Sequence, residues 1–186
     1  GFREEPFAYH QELTLEIDNL SNLGQGVARY GDEKWVIFVP FSLPGEKVRA
    51  RIYRNHKTYS EADLLEVLEP SPHRIEPCCP RFGPCGGRQN HHLAYQSQLD
   101  WKRDQVADVL RRTGQIENLP VESPVPSPLE YGYRSKITPH YQKPRNGEIR
   151  EIGFLATASR SRIVDVPECP IASSAINAAL PRLRND

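Results

Sequence analysis

Five prolines, Pro70, Pro72, Pro77, Pro80 and Pro84, fall in the stretch 70–84. Each lacks a backbone N–H and holds φ near one value, so neither a helix nor a strand ladder can run through them. Cys78, Cys79 and Gly83 share the stretch, with Cys85, Gly86 and Gly87 just beyond its end. The pattern predicts an irregular loop over residues 71–91, wrapped around something. It divides the chain into a part before it and a part after it.

The part before it reads as β structure. Leu13, Leu15 and Ile17 alternate with Thr14, Glu16 and Asp18, the period-two signature of a half-buried strand. Gly24-Gln25-Gly26 permits a tight turn or bulge before Val27–Tyr30, and Gly31–Lys34 reads as a hairpin turn. Trp35–Val39 is expected to be a strand buried on both faces. Leu43-Pro44-Gly45-Glu46 is a further turn, followed by strands over 48–53 and 62–68. Five short strands with glycine turns predict a small closed barrel of the OB type over residues 1–70.

After the loop, residues 92–113 predict a helix. Tyr95, Leu99, Arg103, Val106 and Leu110 form its stripe, Arg111 and Arg112 suit its negative end, and Gly114 suits the position just past it. Asp100, Asp104 and Asp108 read as a solvated face. A proline-rich connector, 120–128, leads to strands expected over 131–142, 149–156 and 161–166. The fold class is therefore mainly β with α. An OB-like five-stranded barrel precedes the cysteine loop, one helix and part of an α+β central domain within 92–186.

The 24 Lys+Arg balance the 24 Asp+Glu, so total charge gives no support for a polyanionic partner. Local clustering does. Arg49, Arg51, Arg54 and Lys57 occur without an intervening acid, with Tyr53 and His56 between them, and Arg29 lies on the same barrel. Seven Lys/Arg against two Glu follow over 134–162, where Arg134 and Lys136 stand among Tyr131, Tyr133, His140 and Tyr141. Cations neutralise phosphates and aromatic faces stack unpaired bases, so these residues apart from Tyr53 and His56, eleven in all, are the candidate RNA contacts. An ordinary solvated strand face is the bland alternative.

The cysteines have two readings as well. In a reducing compartment, clustered thiols on a glycine-rich loop suit an iron–sulfur cluster; they also suit small buried packing. Cys79 and Cys85, with the distant Cys169, are the candidate metal ligands. No apolar run approaches the ~18–20 residues of a membrane span, and no signal-peptide pattern opens the chain, so a cytoplasmic, monomeric protein is expected. The lack of methionine predicts a piece of a longer product.

The order of these features resembles the TRAM-domain RNA uracil-C5 methyltransferases, which make 5-methyluridine in ribosomal or transfer RNA. The resemblance rests on Leu-Gly-Gln-Gly-Val-Ala (23–28), Val39-Pro-Phe41, Leu43-Pro-Gly-Glu46, Cys79-x5-Cys85-Gly-Gly, Tyr95–Lys102, Tyr133-Arg-Ser-Lys136, Ile152-Gly-Phe154 and Ile163–Pro170. It implies a 4Fe-4S cluster on Cys-x5-Cys-x2-Cys plus a distant cysteine. Cys79, Cys85 and Cys169 match that pattern, whereas Arg88 stands at the third ligand position and cannot ligate iron. The resemblance further implies an S-adenosylmethionine domain, with a catalytic cysteine that attacks uracil C6. No segment of this chain matches that domain, so the chain alone is expected to be inactive and to grip RNA. The alternative is a stand-alone TRAM-type RNA-binding protein without methyl transfer.

Overall fold

The computed structural model describes residues 3–184 apart from 88, 118, 145, 147 and 148, and omits the side chain of residue 184. The chain folds as two compact units. The first comprises 1–75 and 92–124, and the second 76–91 and 125–186. The helix thus groups with the barrel and the cysteine loop with the C-terminal part, whereas the linear reading runs 1–70, 71–91 and 92–186.

In the first unit, β1 (Glu12–Leu20), β2 (Gln25–Tyr30), β3 (Trp35–Pro40), β4 (Lys47–Asn55) and β5 (Tyr59–Glu69) close a barrel in the order β1-β2-β3-β5-β4. All neighbours run antiparallel except β3 and β5, which pair in parallel. This is the expected OB-like closure, and it leaves no open sheet edge. Period-two alternation turns Leu13, Leu15, Ile17, Val48, Ala50 and Ile52 into one core. The third strand departs from expectation. Ile37 and Val39 are fully buried, but Val36 and Phe38 are only partly so, because a barrel wall has an inside and an outside.

Two features lock the barrel. Gly26 faces the buried Ser42, whose Oγ donates to Val39 O at 2.8 Å. A Cβ on Gly26 would stand 2.0 Å from that Oγ, so close approach rather than φ demands the glycine. Glu46, 1% exposed, accepts from the N–H groups of Leu43 and Ser71 and from Arg74 Nε and Nη2, the last at 2.9 Å. Burial by itself raises this carboxyl's pKa. The bonds from Arg74, Leu43 and Ser71 outweigh burial and hold it below the ordinary carboxylate value.

Helix α1 (Tyr95–Arg112) belongs to this unit but not along the expected stripe. Leu99 alone is buried. Trp101 packs on Leu20, Leu43 and Leu93, while Val106 is 50% exposed and Arg103 pairs with Asp104 at 2.9 Å. Leu99 and Trp101 carry the packing, Gln105 Nε2 donates to Ser21 O at 3.3 Å, and of the expected stripe Val106 is left exposed while Leu110 is half-buried. Past its end, Gln115 takes the left-handed conformation, at φ 52°, and Gly114 does not. Gly114 is needed for space, since its Cβ would lie 2.7 Å from Leu110 O.

In the second unit, the three expected strands shrink to β6 (His140–Tyr141), β7 (Ile152–Leu155) and β8 (Ile163–Asp165), an antiparallel sheet in that order. Pro139 and Pro144 bracket the first of these and deny it further N–H donors. Gly153 lies so close to β8 that a Cβ would stand 1.9 Å from Val164 O. A short helix unforeseen in the sequence, α2 (Ser174–Ala179), starts at Ser173, whose hydroxyl accepts from the Ile176 N–H. Among the described residues, no helix is long and apolar enough to cross a membrane.

Candidate functional site

On the barrel, the basic residues of β4 are not a free cationic strip. Antiparallel pairing sets Arg49 opposite Thr14 of β1 and Glu66 of β5, and Arg51 opposite Glu12 and Asp63. Arg49 bonds Glu12 at 2.9 Å and Glu66 at 3.0 Å, Arg51 bonds Asp63 at 3.2 Å, and Lys47 bonds Glu69 at 3.4 Å. Glu12 and Glu66 correspondingly raise the Arg49 pKa. The acid-free run of the sequence is therefore acid-lined in space. Arg29 is paired with Asp18 at 3.2 Å. Arg54 and Lys57 are exposed and make no ion pair among the described residues. Burial, reinforced by Glu61 and Asp63, pushes the Tyr53 phenol up to about 12.

The second unit differs. By sequence it carries 11 Lys/Arg against 7 Asp/Glu, a net of +4, and the first unit carries 13 against 17, a net of −4. The zero total hides this segregation. Tyr133, Arg134, Lys136, His140 and Tyr141 are exposed, and Tyr131 is at the threshold of exposure. Backbone bonds hold the segment in place. Gly132 N–H donates to Pro170 O, Arg134 N–H to Ile171 O, and Ser173 N–H to Arg134 O. His140 and Tyr141 sit on β6 opposite Gly153 and Ile152. Among the described residues, Arg134, Lys136, Lys143, Arg150, Arg160 and Arg162 have no ion-pair partner.

Cys79, Cys85 and Cys169 are each 6% exposed or less, and all three line one cavity of about 90 Å³ with Arg81, Phe154 and Val166. The loop is tied down around it. Gly86 N–H donates to Leu155 O, Thr157 N–H to Pro84 O, and Arg81 Nε to Asp165 O. Asn177 of α2 clamps Cys169, donating to its carbonyl and accepting from its N–H. Sequence reasoning missed Asn177 because an amide inside a short helix carries no spacing signal. Cys78 is exposed and Arg88 lies outside the described residues.

The fit to a cluster is thus three donors of four. No three His, Cys, Asp or Glu among the described residues converge to hold a single metal ion. A cubane, however, takes one thiolate per iron, so its sulfurs ring a cavity and need not meet at a point. Cys79, Cys85 and Cys169 line one such cavity, and Cys78, the remaining cysteine, is exposed.

Known proteins agree with this architecture. Residues 13–73 match the TRAM domain of tRNA (uracil(54)-C(5))-methyltransferase. The tRNA (uracil(54)-C(5))-methyltransferase of Schizosaccharomyces pombe is 38% identical over 188 residues, covering 97% of this chain and 36% of the relative. The 23S rRNA (uracil(1939)-C(5))-methyltransferase of Halomonas elongata is also 38% identical, over 91% of this chain and 34% of the relative. The crystal structure of Pyrococcus abyssi tRNA (uracil-54, C5)-methyltransferase in complex with S-adenosyl-L-homocysteine superposes with a TM-score of 0.67 at 29% identity, over 92% of this chain and 36% of that one. A closed five-stranded barrel bearing these residues is a TRAM domain. The chain belongs to the TRAM-domain RNA uracil-C5 methyltransferase family, and it spans slightly more than a third of the length of the relatives it matches.

Proposed function

We propose that this chain is the RNA-gripping portion of an S-adenosylmethionine-dependent RNA uracil-C5 methyltransferase, and that its second unit carries most of the grip. The supporting observation is charge segregation. The second unit has a net of +4, and its exposed Arg134 and Lys136 lie along the chain among exposed aromatic side chains and have no acid partner among the described residues. Unpaired cations can exchange water and counterions for phosphates, whereas a cation already held by a carboxylate must first give that up. Arg54 and Lys57 are the barrel residues best suited to add to the grip. Arg29, Arg49 and Arg51 are poised by their acids and contribute less. Tyr131, Tyr133, His140 and Tyr141 supply stacking surface for unpaired bases. The whole protein would use this grip to present a uridine, in ribosomal or transfer RNA, for methylation at C5.

Cys79, Cys85 and Cys169 are the residues that would hold a 4Fe-4S cluster. When bound, such a group would cross-link the loop to the segment carrying Cys169 and fix their geometry. Anaerobic reconstitution with iron and sulfide tests this reading. About four irons per chain with broad thiolate-to-iron absorption is the expected result. A colourless, folded protein would instead assign the three thiols to packing.

The RNA reading is tested by fluorescence anisotropy of a labelled uridine-containing stem–loop at several salt concentrations. Affinity should fall steeply as salt rises. Absence of binding at low salt sinks the reading.

A further inference from the structure

The cysteine loop carries an aromatic side chain, Phe82, that packs on another ring. Phe82 lies nearly parallel to His91, at an interplanar angle of 12° and a centroid separation of 6.3 Å. His91 in turn meets Tyr131 edge to face, at 83° and 5.7 Å. None of the three belongs to the second unit's core cluster, which is built from Val166, Cys169, Ile171 and Ala172 with Ile137, Phe154, Val164 and Ile176 packed on it. Phe82 and His91 are only half-buried and Tyr131 is 37% exposed. Aromatic rings chosen for packing go where they lose the most water-exposed area. These rings line up along the surface instead.

Their backbone is held firmly. Phe82 N–H donates to Cys79 O, and Cys85 N–H donates to Arg81 O, so the ring sits on a tight turn between two buried thiols. Tyr131 precedes Gly132, whose φ of 68° and bond to Pro170 O set the direction of the chain there. Arg134, exposed and without an acid partner, follows three residues on. A run of aromatic rings partly open to solvent, in a unit of net positive charge, has the chemistry of a platform for unpaired bases.

We propose that Phe82, His91 and Tyr131 form a nucleobase-stacking platform for single-stranded RNA, which makes the cysteine loop itself part of the RNA-reading surface. The inference rests on the RNA-binding reading above and deepens it. It adds two residues, Phe82 and His91, that lie outside any basic cluster. It also commits the site to unpaired bases, because a duplex keeps its ring faces stacked on one another.

The test compares Phe82→Leu, Tyr131→Leu and the aromatic replacement Tyr131→Phe in the 186-residue protein. Each is titrated against a labelled single-stranded uridine-rich RNA and against an RNA duplex of the same length. Tyr131→Leu and Phe82→Leu should each weaken single-strand binding by roughly ten-fold, the scale of removing one base stack. Duplex binding and the salt slope should stay unchanged, and Tyr131→Phe should bind like wild type. Tyr131 is the more exposed ring, so its variants decide the matter if Phe82→Leu does not fold. Wild-type-like single-strand binding by Tyr131→Leu overturns the platform and leaves the RNA reading standing. Equal losses on both probes overturn it too, by assigning the rings a structural role. Failure of the wild-type protein to bind either probe overturns the RNA reading and this inference with it.

Discussion

The two units of this chain solve the same problem with different resources. The barrel closes five strands of six to eleven residues on a core in which Ile37, Val39, Val48, Ala50 and Ile52 are fully buried. Its charged outer face is cross-linked by ion pairs between adjacent strands. The second unit has a sheet of two- to four-residue strands and a small core that includes Cys169, and among its described residues Arg134, Lys136, Lys143, Arg150, Arg160 and Arg162 make no ion pair. A closed barrel satisfies its own backbone and neutralises its own surface. The second unit carries a net of +4 against −4 for the first, so its surface is the one better prepared for a polyanion. A count of charges along the chain would have ranked the two faces alike.

The largest expected effects come from breaking one unit without the other. Gly153→Ala forces a Cβ into the Val164 carbonyl and should destabilise the second unit on the order of 3 kcal/mol. Both tryptophans, Trp35 and Trp101, lie in the first unit, so tryptophan emission should stay native while amide-exchange protection in 125–186 collapses. Loss of the emission signal as well would show that the two units fold as one.

The converse experiment is Glu46→Ala. Removing a buried carboxylate takes the acid partner from Arg74, which keeps its bond to Phe41 O, and the acceptor from two N–H groups, a loss of about 3–5 kcal/mol that tryptophan emission should report on denaturant unfolding. The pH dependence has a definite sign. Because the native carboxyl is held below its ordinary value, its stabilisation is complete above that value and is lost as the pH falls through the depressed one. The stability gap between wild type and Glu46→Gln should therefore be full at neutral pH and close in acid. A gap that widens in acid would contradict the assigned shift.

Charge removal sharpens the contrast between the two surfaces. Arg134→Ala with Lys136→Ala should lower the salt slope of single-strand RNA binding by about 0.7 for each phosphate no longer neutralised. Arg49→Ala with Arg51→Ala should change it less, because those guanidinium groups are already answered by carboxylates. The opposite ranking would return the interface to the barrel. Smallest of all, Arg49→Ala should barely move the melting temperature, since exposed ion pairs contribute little.

Much of the barrel was legible because period-two alternation is a local property. Leu13, Leu15 and Ile17 declare an inside and an outside wherever they are placed. The expected strands of the second unit failed on length, because Pro139 and Pro144 interrupt what the β-prone residues suggest. The helix was legible but its packed face was not. Trp101, off the expected stripe, packs where it matters, because the face a helix buries depends on where it docks.

Cys79 and Cys85 were legible from their loop, with Cys169 added as a distant candidate that the family resemblance supports, and the three do line one cavity. Asn177, which clamps Cys169, and the Phe82–His91–Tyr131 run were not, since nothing in sequence brings residues 82, 91 and 131 together.

By itself, then, the sequence determined what depends on neighbours along the chain: the barrel's alternation, the proline-broken loop and the candidate donors on it. Tertiary structure decided which acid meets Arg49, which helix face is covered and which rings align. Those outcomes depend on strand register and docking, which bring together residues that the chain keeps far apart.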